Sequence, residues 1–245
     1  MDTYKTKMDQ STEKFSDFPV THIRKIISIA MHNSLQNSAQ LTHHISANAS
    51  GILQLRNTVK NKLKEGYLHD ITLNDMICFA VISALKKHLN INAHFLGDKT
   101  RVFKNVNLGL AVDTKRGLMV PTLIEADKLL LPQLSDRLKE LAETTKKGNI
   151  SPDLLNPAAA TFTVSNLGNY GVEMFTPIIN LPQLAILGVN TILPRPVKLK
   201  DGSITLEPYI GLSLTYDHRA LDGGPVTLFL VDIKKEIENI SSELI

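Results

Sequence analysis

The sequence predicts an α/β (α+β) domain, a mixed β-sheet flanked by helices. Three patterns predict it. Apolar residues recur at helical spacing near the start, the middle and the end of the chain. Between them lie short stretches in which apolar and small or polar residues alternate with period two, as in half-buried strands. Prolines and glycines punctuate the periodic stretches where turns are expected. With 245 residues the chain can bury a substantial core.

Residues 1–18 are polar and of mixed charge, and read as a tail or linker remnant. That leaves 19–245 as the folded domain. In "THIRKIISIAMHNSL", Thr21 is a candidate N-cap, and Ile23, Ile26, Ile27, Ala30, Met31 and Leu35 share one helical face. "QLTHHISANA" reads as a strand. "SGILQLRNTVKNKLKEG" repeats the helical stripe with Ile52, Leu55, Val59 and Leu63, and Gly66 ends it. "TLNDMICFAVISALKKHL" is the clearest helix, with Thr72 as its cap.

"VNLGLAVD" reads as one half-buried strand, and "LMVPTL" as a short strand that Pro121 places at an edge or bend. "LPQLSDRLKELAETTKKG" is helical up to Gly148. "AATFTVSN", "QLAILGVN" and "IGLSLTYD" read as strands, with Pro177, Pro182, Pro194 and Pro196 marking turns between them. The last helix starts near Pro225, a favoured first-turn residue.

Composition narrows the function classes. The charge sum, 27 − 24 = +3, is too near balance to make nucleic acid the main partner. Cys78 is the only cysteine, so no intrachain disulfide forms, and its apolar helical run reads as a buried thiol. No Cys/His cluster has zinc spacing, so no metal is expected. No apolar run reaches the length of a membrane span, and the start lacks the apolar core of a signal peptide. A reducing cytoplasmic location is the simplest expectation.

"YDHRALDGG" stands out near the end of the chain. His218 follows an apolar strand, where sheets present functional loops, and Asp222 comes four residues later. Two glycines then allow a tight turn or close substrate approach. Taken alone, the pattern favours a solvated turn with Asp222 capping the next helix.

The longer stretch "SLTYDHRALDGG" closely resembles the C-terminal D-H-R-x-x-D-G signature of the dihydrolipoamide acyltransferases, the E2 components of 2-oxo acid dehydrogenase complexes. The chloramphenicol acetyltransferases share its H-x-x-x-D-G core. "IRKIISIAM", "DITLNDMICFAVISAL", "VNLGLAVDTKRGLMVPTL" and "FTVSNLGNYGVEMFTPIINLPQLAILGV" follow the family's order, so the resemblance covers about residues 20–240. It implies that 19–245 is an acyltransferase catalytic domain with a chloramphenicol acetyltransferase-like, trimer-forming fold.

The resemblance implies acyl transfer, of an acetyl group in the first instance, between the thiols of dihydrolipoamide and coenzyme A. His218 is the implied general base. A thiol with a pKa of about 8.5 is mostly protonated at neutral pH, and a neutral imidazole is suited to remove its proton. Ser165 holds the family's hydroxyl position for stabilising the oxyanion. Asp222 matches the family's second aspartate, implying an ion pair with Arg56 that fixes the histidine loop. Arg219 is given no chemistry.

The resemblance also implies coenzyme A as a substrate and a lipoyl group carried on another domain or chain. The 2-oxo acid decarboxylase (E1) and dihydrolipoamide dehydrogenase (E3) are the implied partners. The homotrimer, with His218 facing Ser165 of a neighbour, can assemble further into a 24-mer or 60-mer core. Nucleic acid and membrane are not expected partners.

Lys128, in "EADKLLL", looks like a lipoyl attachment lysine but leads into a helix, and is set aside. His43 and His44 are strand neighbours that point to opposite faces, which disfavours shared metal ligation. Ala39 and Gln40 stand where the family often has Pro-His. Two other readings remain open: a coenzyme A-dependent O-acetyltransferase of the chloramphenicol type, and a non-catalytic scaffold core.

Overall fold

The computed structural model describes residues 15–245. In chain order the elements are α1 (His22–Gln36), β1 (Gln40–Asn48), α2 (Ser50–Lys64), α3 (Leu73–Leu85), β2 (Ala93–Phe95) and β3 (Thr100–Val102). Then come β4 (Leu108–Leu110), β5 (Val112–Thr114), β6 (Gly117–Met119), β7 (Thr122–Leu123) and α4 (Leu131–Lys147). The chain closes with β8 (Phe162–Asn166), β9 (Ala185–Lys198), β10 (Ile204–Asp217) and α5 (Gly223–Glu238). The tail expected over 1–18 lies mostly outside the described residues, and the part described, 15–18, is exposed coil.

Local signals set the helix ends. Thr21 caps α1 through Arg24 N–H, and Thr72 with Asp75 forms a reciprocal capping box on α3. Gly148 closes α4 in the left-handed conformation at φ 80°.

Six strands form one mixed sheet in the order β1-β10-β9-β8-β4-β7. β8 runs parallel to both β4 and β9, and the other pairings are antiparallel. Helices α2 to α5 pack together against one face, where Phe162 of β8 meets Phe229 of α5 edge-to-face at 5.7 Å between ring centroids. Strand alternation turns Thr163 and Ser165 to the opposite face. That face is crossed by residues 168–183, with Phe175 against Gly188 and Ser34 of α1 donating to the Ile179 carbonyl at 2.6 Å.

Three expectations are corrected. "VNLGLAVD" is two strands, because β5 leaves the main sheet to pair with β6. β4 is buried on both faces, and a Cβ on Gly109 would stand 2.6 Å from Thr163 Oγ1. Pro194 and Pro196 lie inside β9, in a two-stranded ribbon that β9 and β10 extend beyond the sheet. There no third strand needs the N–H that proline lacks.

The apolar stripe of α1 is only partly covered by the chain. Ile23, Ile27 and Met31 are half-buried, whereas Ile26 and Leu35 of the stripe are 54% and 55% exposed. Among the described residues no helix is long and apolar enough to cross a membrane.

Candidate active site

β10 ends at Asp217, and the loop to α5 carries His218, which is exposed on this chain. The loop is held from within and from outside. Asp217, fully buried, accepts hydrogen bonds from Arg219 Nε at 3.0 Å and Arg219 Nη2 at 2.6 Å. Burial opposes its charge, yet the hydrogen bonds from Arg219 and the Ala39 N–H hold its carboxyl below the usual range. The Arg219 guanidinium also lies over the Phe95 ring, 4.7 Å from its centroid.

Ala39 grips the loop twice. Its N–H donates to Asp217 Oδ1 at 3.2 Å, and its carbonyl accepts from His218 N–H at 2.9 Å. A proline here would supply no such N–H. Gln40 ties the same junction to the opposite face of the sheet. Its Nε2 donates to Ser34 and Ser38, each at 2.9 Å, and its Oε1 accepts from Ile179 N–H at 3.2 Å.

The expected Arg56–Asp222 ion pair is not formed. Arg56 pairs with Asp70, in the loop before α3, and donates to the Ile71 carbonyl at 2.8 Å. Asp222 sits at the N-cap position of α5, and its carboxylate makes no hydrogen bond among the described residues. Among the described residues the Arg56 guanidinium hydrogen-bonds only to the 70–71 segment, through the Asp70 carboxylate and the Ile71 carbonyl. The clamp on the histidine loop is Asp217–Arg219. Its sequence signal was a charge closing an apolar strand two residues before an arginine.

Ser165 lies on β8 beside an open cleft of about 760 Å³. Asn74, Asp113, Lys146, Asn166 and Tyr170 line it with Ser165, and none of these five was singled out from the sequence. Asn166 Nδ2 donates to Asn74 Oδ1 at 2.9 Å, and Asn166 Oδ1 accepts from Gly168 N–H at 2.9 Å. Both amides are thereby fixed at the cleft wall. The Ser165 hydroxyl makes no hydrogen bond among the described residues.

The sheet register separates Ser165 from His218. Ser165 pairs with Gly188, and Gly188 with Ser213, so two strand spacings lie between β8 and β10. His218 lies five residues beyond Ser213. At about 3.3 Å per residue and about 4.8 Å per strand, the two Cα atoms are roughly 19 Å apart. No rotamers bring one chain's imidazole and hydroxyl to a common reacting atom.

The decoys resolve geometrically. Lys128 ends a 3₁₀ turn and pairs with Glu125 at 2.6 Å. His43 and His44 point apart: His43 Nε2 meets Tyr216 on the helix-covered face, and His44 Nδ1 meets Ser213 Oγ at 2.9 Å on the other. Burial, then the charge of His43, holds the His44 pKa below its ordinary value. Cys78 is buried in α3, and burial with the nearby Asp75 pushes its thiol pKa far up.

A mixed six-stranded sheet with helices packed on one face is the chloramphenicol acetyltransferase-like fold. One chloramphenicol acetyltransferase superposes with a TM-score of 0.55 at 10% identity, covering 89% of this chain and 95% of that one, a likeness of fold alone. The chain belongs to the 2-oxoacid dehydrogenases acyltransferase (catalytic domain) family, whose model matches residues 12–245.

Among curated relatives, it is similar to the dihydrolipoyllysine-residue acetyltransferase component of the acetoin cleaving system of Bacillus subtilis (strain 168). The two are 35% identical over 93% of this chain and 56% of that protein. It is also 35% identical to the succinyltransferase component of the Haemophilus influenzae 2-oxoglutarate dehydrogenase complex, over 90% of this chain and 53% of that one. The chain thus spans about half the length of these relatives.

A dihydrolipoamide acetyltransferase from Azotobacter vinelandii superposes with a TM-score of 0.87 at 29% identity, covering 95% of each chain. Its catalytic mechanism was investigated through a serine, a histidine and an asparagine four positions after that histidine. The cubic core of a pyruvate dehydrogenase multienzyme complex superposes equally well, at 0.87 and 29% identity over 96% of each chain.

Proposed function

We propose that this chain transfers an acyl group, acetyl in the first instance, between the thiols of dihydrolipoamide and coenzyme A. His218 of one subunit works with Ser165 of its neighbour. The separation of roughly 19 Å along one sheet carries this reading, because the two groups can meet only across an interface. The exposed imidazole, the open cleft at Ser165 and the exposed apolar residues of α1, Ile26, Ile29 and Leu35, support it.

In the proposed step His218 accepts the proton of the attacking thiol. The thiolate adds to the thioester carbonyl, and the Ser165 hydroxyl donates to the oxyanion that forms. Collapse expels the other sulfur as thiolate, which takes the proton back from His218. Atoms and charge balance with no further reactant. Asp217, Arg219 and Ala39 hold the loop, while Asp222 stands at the N-cap position of α5 without a side-chain hydrogen bond and bears on the loop through its charge.

The lipoyl group arrives on another domain or chain, with E1 and E3 as the partners of the assembled complex. The working unit is a homotrimer that can build a larger hollow core, and no step requires a metal. Serine rather than threonine at 165 favours acetyl over succinyl.

The test offers purified protein dihydrolipoamide with acetyl-, succinyl- or isobutyryl-coenzyme A, and follows thioester formation and free coenzyme A. The expected result is fastest transfer from acetyl-coenzyme A and loss of turnover in His218→Ala. Rates equal to that variant's with all three donors would defeat the proposal. Transfer only to a hydroxyl acceptor would favour the O-acetyltransferase alternative.

A further inference from the structure

We propose that His43, Tyr216 and Thr227 form a relay that positions His218; this rests on the acyl-transfer reading above. The Tyr216 ring lies against that of His218, with centroids 5.5 Å apart and planes tilted by 38°. Tyr216 is fully buried, and its hydroxyl meets His43 Nε2 at 3.2 Å. The other ring nitrogen, His43 Nδ1, lies 3.1 Å from Thr227 Oγ1. Thr227 Oγ1 in turn donates to the Gly223 carbonyl at 2.7 Å.

For a His43 ring carrying one proton, these contacts leave one arrangement. A hydroxyl has a single proton. Thr227 directs it to Gly223, so its oxygen accepts, and His43 Nδ1 must carry a hydrogen. His43 Nε2 is then bare and accepts from Tyr216. Burial, then the charge of Asp222, raises the Tyr216 pKa. The neighbouring titratable groups are His44 on β1 and Asp222 at the start of α5.

The relay joins the two ends of one loop. Tyr216 precedes the 217–222 segment and Gly223 follows it, and β1 supplies the link between them through His43. A Cβ on Gly223 would stand 3.4 Å from the Tyr216 hydroxyl and 3.5 Å from His43 Cε1, so the ends are already in contact range. His218 is thus carried on a loop closed by a third element, with an aromatic floor beneath its ring. Tyr216, His43 and Thr227 are positioning residues, since they act through His218.

The test compares wild type with Tyr216→Phe, His43→Leu, His43→Gln, Thr227→Val and the Tyr216→Phe/His43→Leu double variant. Turnover, KM and melting temperature are measured for each, with ¹⁵N imidazole spectra of the labelled protein. The relay requires kcat to fall by about tenfold in the single variants, with KM held within about twofold. The double variant should be no slower than the slower single, because one relay is cut in both. His43→Gln should recover most of the rate, since its amide both donates and accepts. The spectra should show His43 as the Nδ1–H tautomer.

Unchanged kcat, additive losses, a Gln variant no better than Leu, or an Nε2–H tautomer would each overturn the relay. An inactive wild type would overturn the acyl-transfer reading and the positioning role with it. An active wild type with indifferent variants would overturn the relay alone.

Discussion

Mixing two inactive variants measures the distance between His218 and Ser165 in functional terms. His218→Ala removes the proposed base, and Ser165→Ala removes the proposed oxyanion donor while leaving the imidazole in place. Each homo-oligomer should be slow, by roughly 10²–10³ for the serine variant alone. If one subunit supplies the imidazole and the next the hydroxyl, a mixed ring regenerates intact sites. An intact site needs a serine-variant subunit on the histidine side and a histidine-variant subunit on the serine side. With equal amounts and random assembly each condition holds half the time, so about a quarter of the sites are intact.

The assay unfolds the two variants together, refolds them and follows acyl transfer to dihydrolipoamide, beside each variant refolded alone. About a quarter of wild-type turnover is expected. A mixture no faster than the mean of the two separate variants, at unchanged oligomer size, would refute the split site. It would also mean that the two residues, roughly 19 Å apart along the register, have been wrongly paired.

Asp217→Asn should destabilise the domain by about 2 kcal/mol, because a charge-assisted pair is lost but Arg219 keeps partial access to water. Asp217's folded pKa lies below its unfolded value of about 3.9, so its contribution is complete above that value and is lost as pH falls through the folded one. Melting temperature against pH should therefore drop less steeply on the acid side in Asp217→Asn than in wild type, and parallel curves would contradict the assignment. Arg56→Ala should lower stability by about 1–2 kcal/mol while turnover stays near wild type, since Arg56 holds Asp70 and Ile71; a large fall in kcat at unchanged melting temperature would restore the link to the histidine loop. Gly109→Ala should cost about 1–3 kcal/mol in chemical denaturation, because its Cβ would meet Thr163 Oγ1 at 2.6 Å in a strand buried on both faces.

Much of the fold was legible because its signals are local. Thr21 and Thr72 cap the helices they precede, and the stripes of α2, α3 and α4 face the core. Period-two alternation located β8 and β10. The stripe of α1 was equally clear, yet the chain covers only part of it and leaves Ile26 and Leu35 exposed, since periodicity shows that a face is apolar and not what covers it. The prolines of β9 read as turns because a ribbon free of neighbouring strands tolerates them, and that freedom is a property of the sheet.

The sequence by itself determined the order of elements, the loop that presents His218, and the strand that carries Ser165. Those depend on residues a few positions apart. The tertiary structure decided that Asp70 takes Arg56, that Asp217 and Arg219 clamp the loop, and that His218 and Ser165 stand roughly 19 Å apart along one sheet. Partner choice and separation depend on which segments meet in space, and strand register sets that only after the sheet has formed.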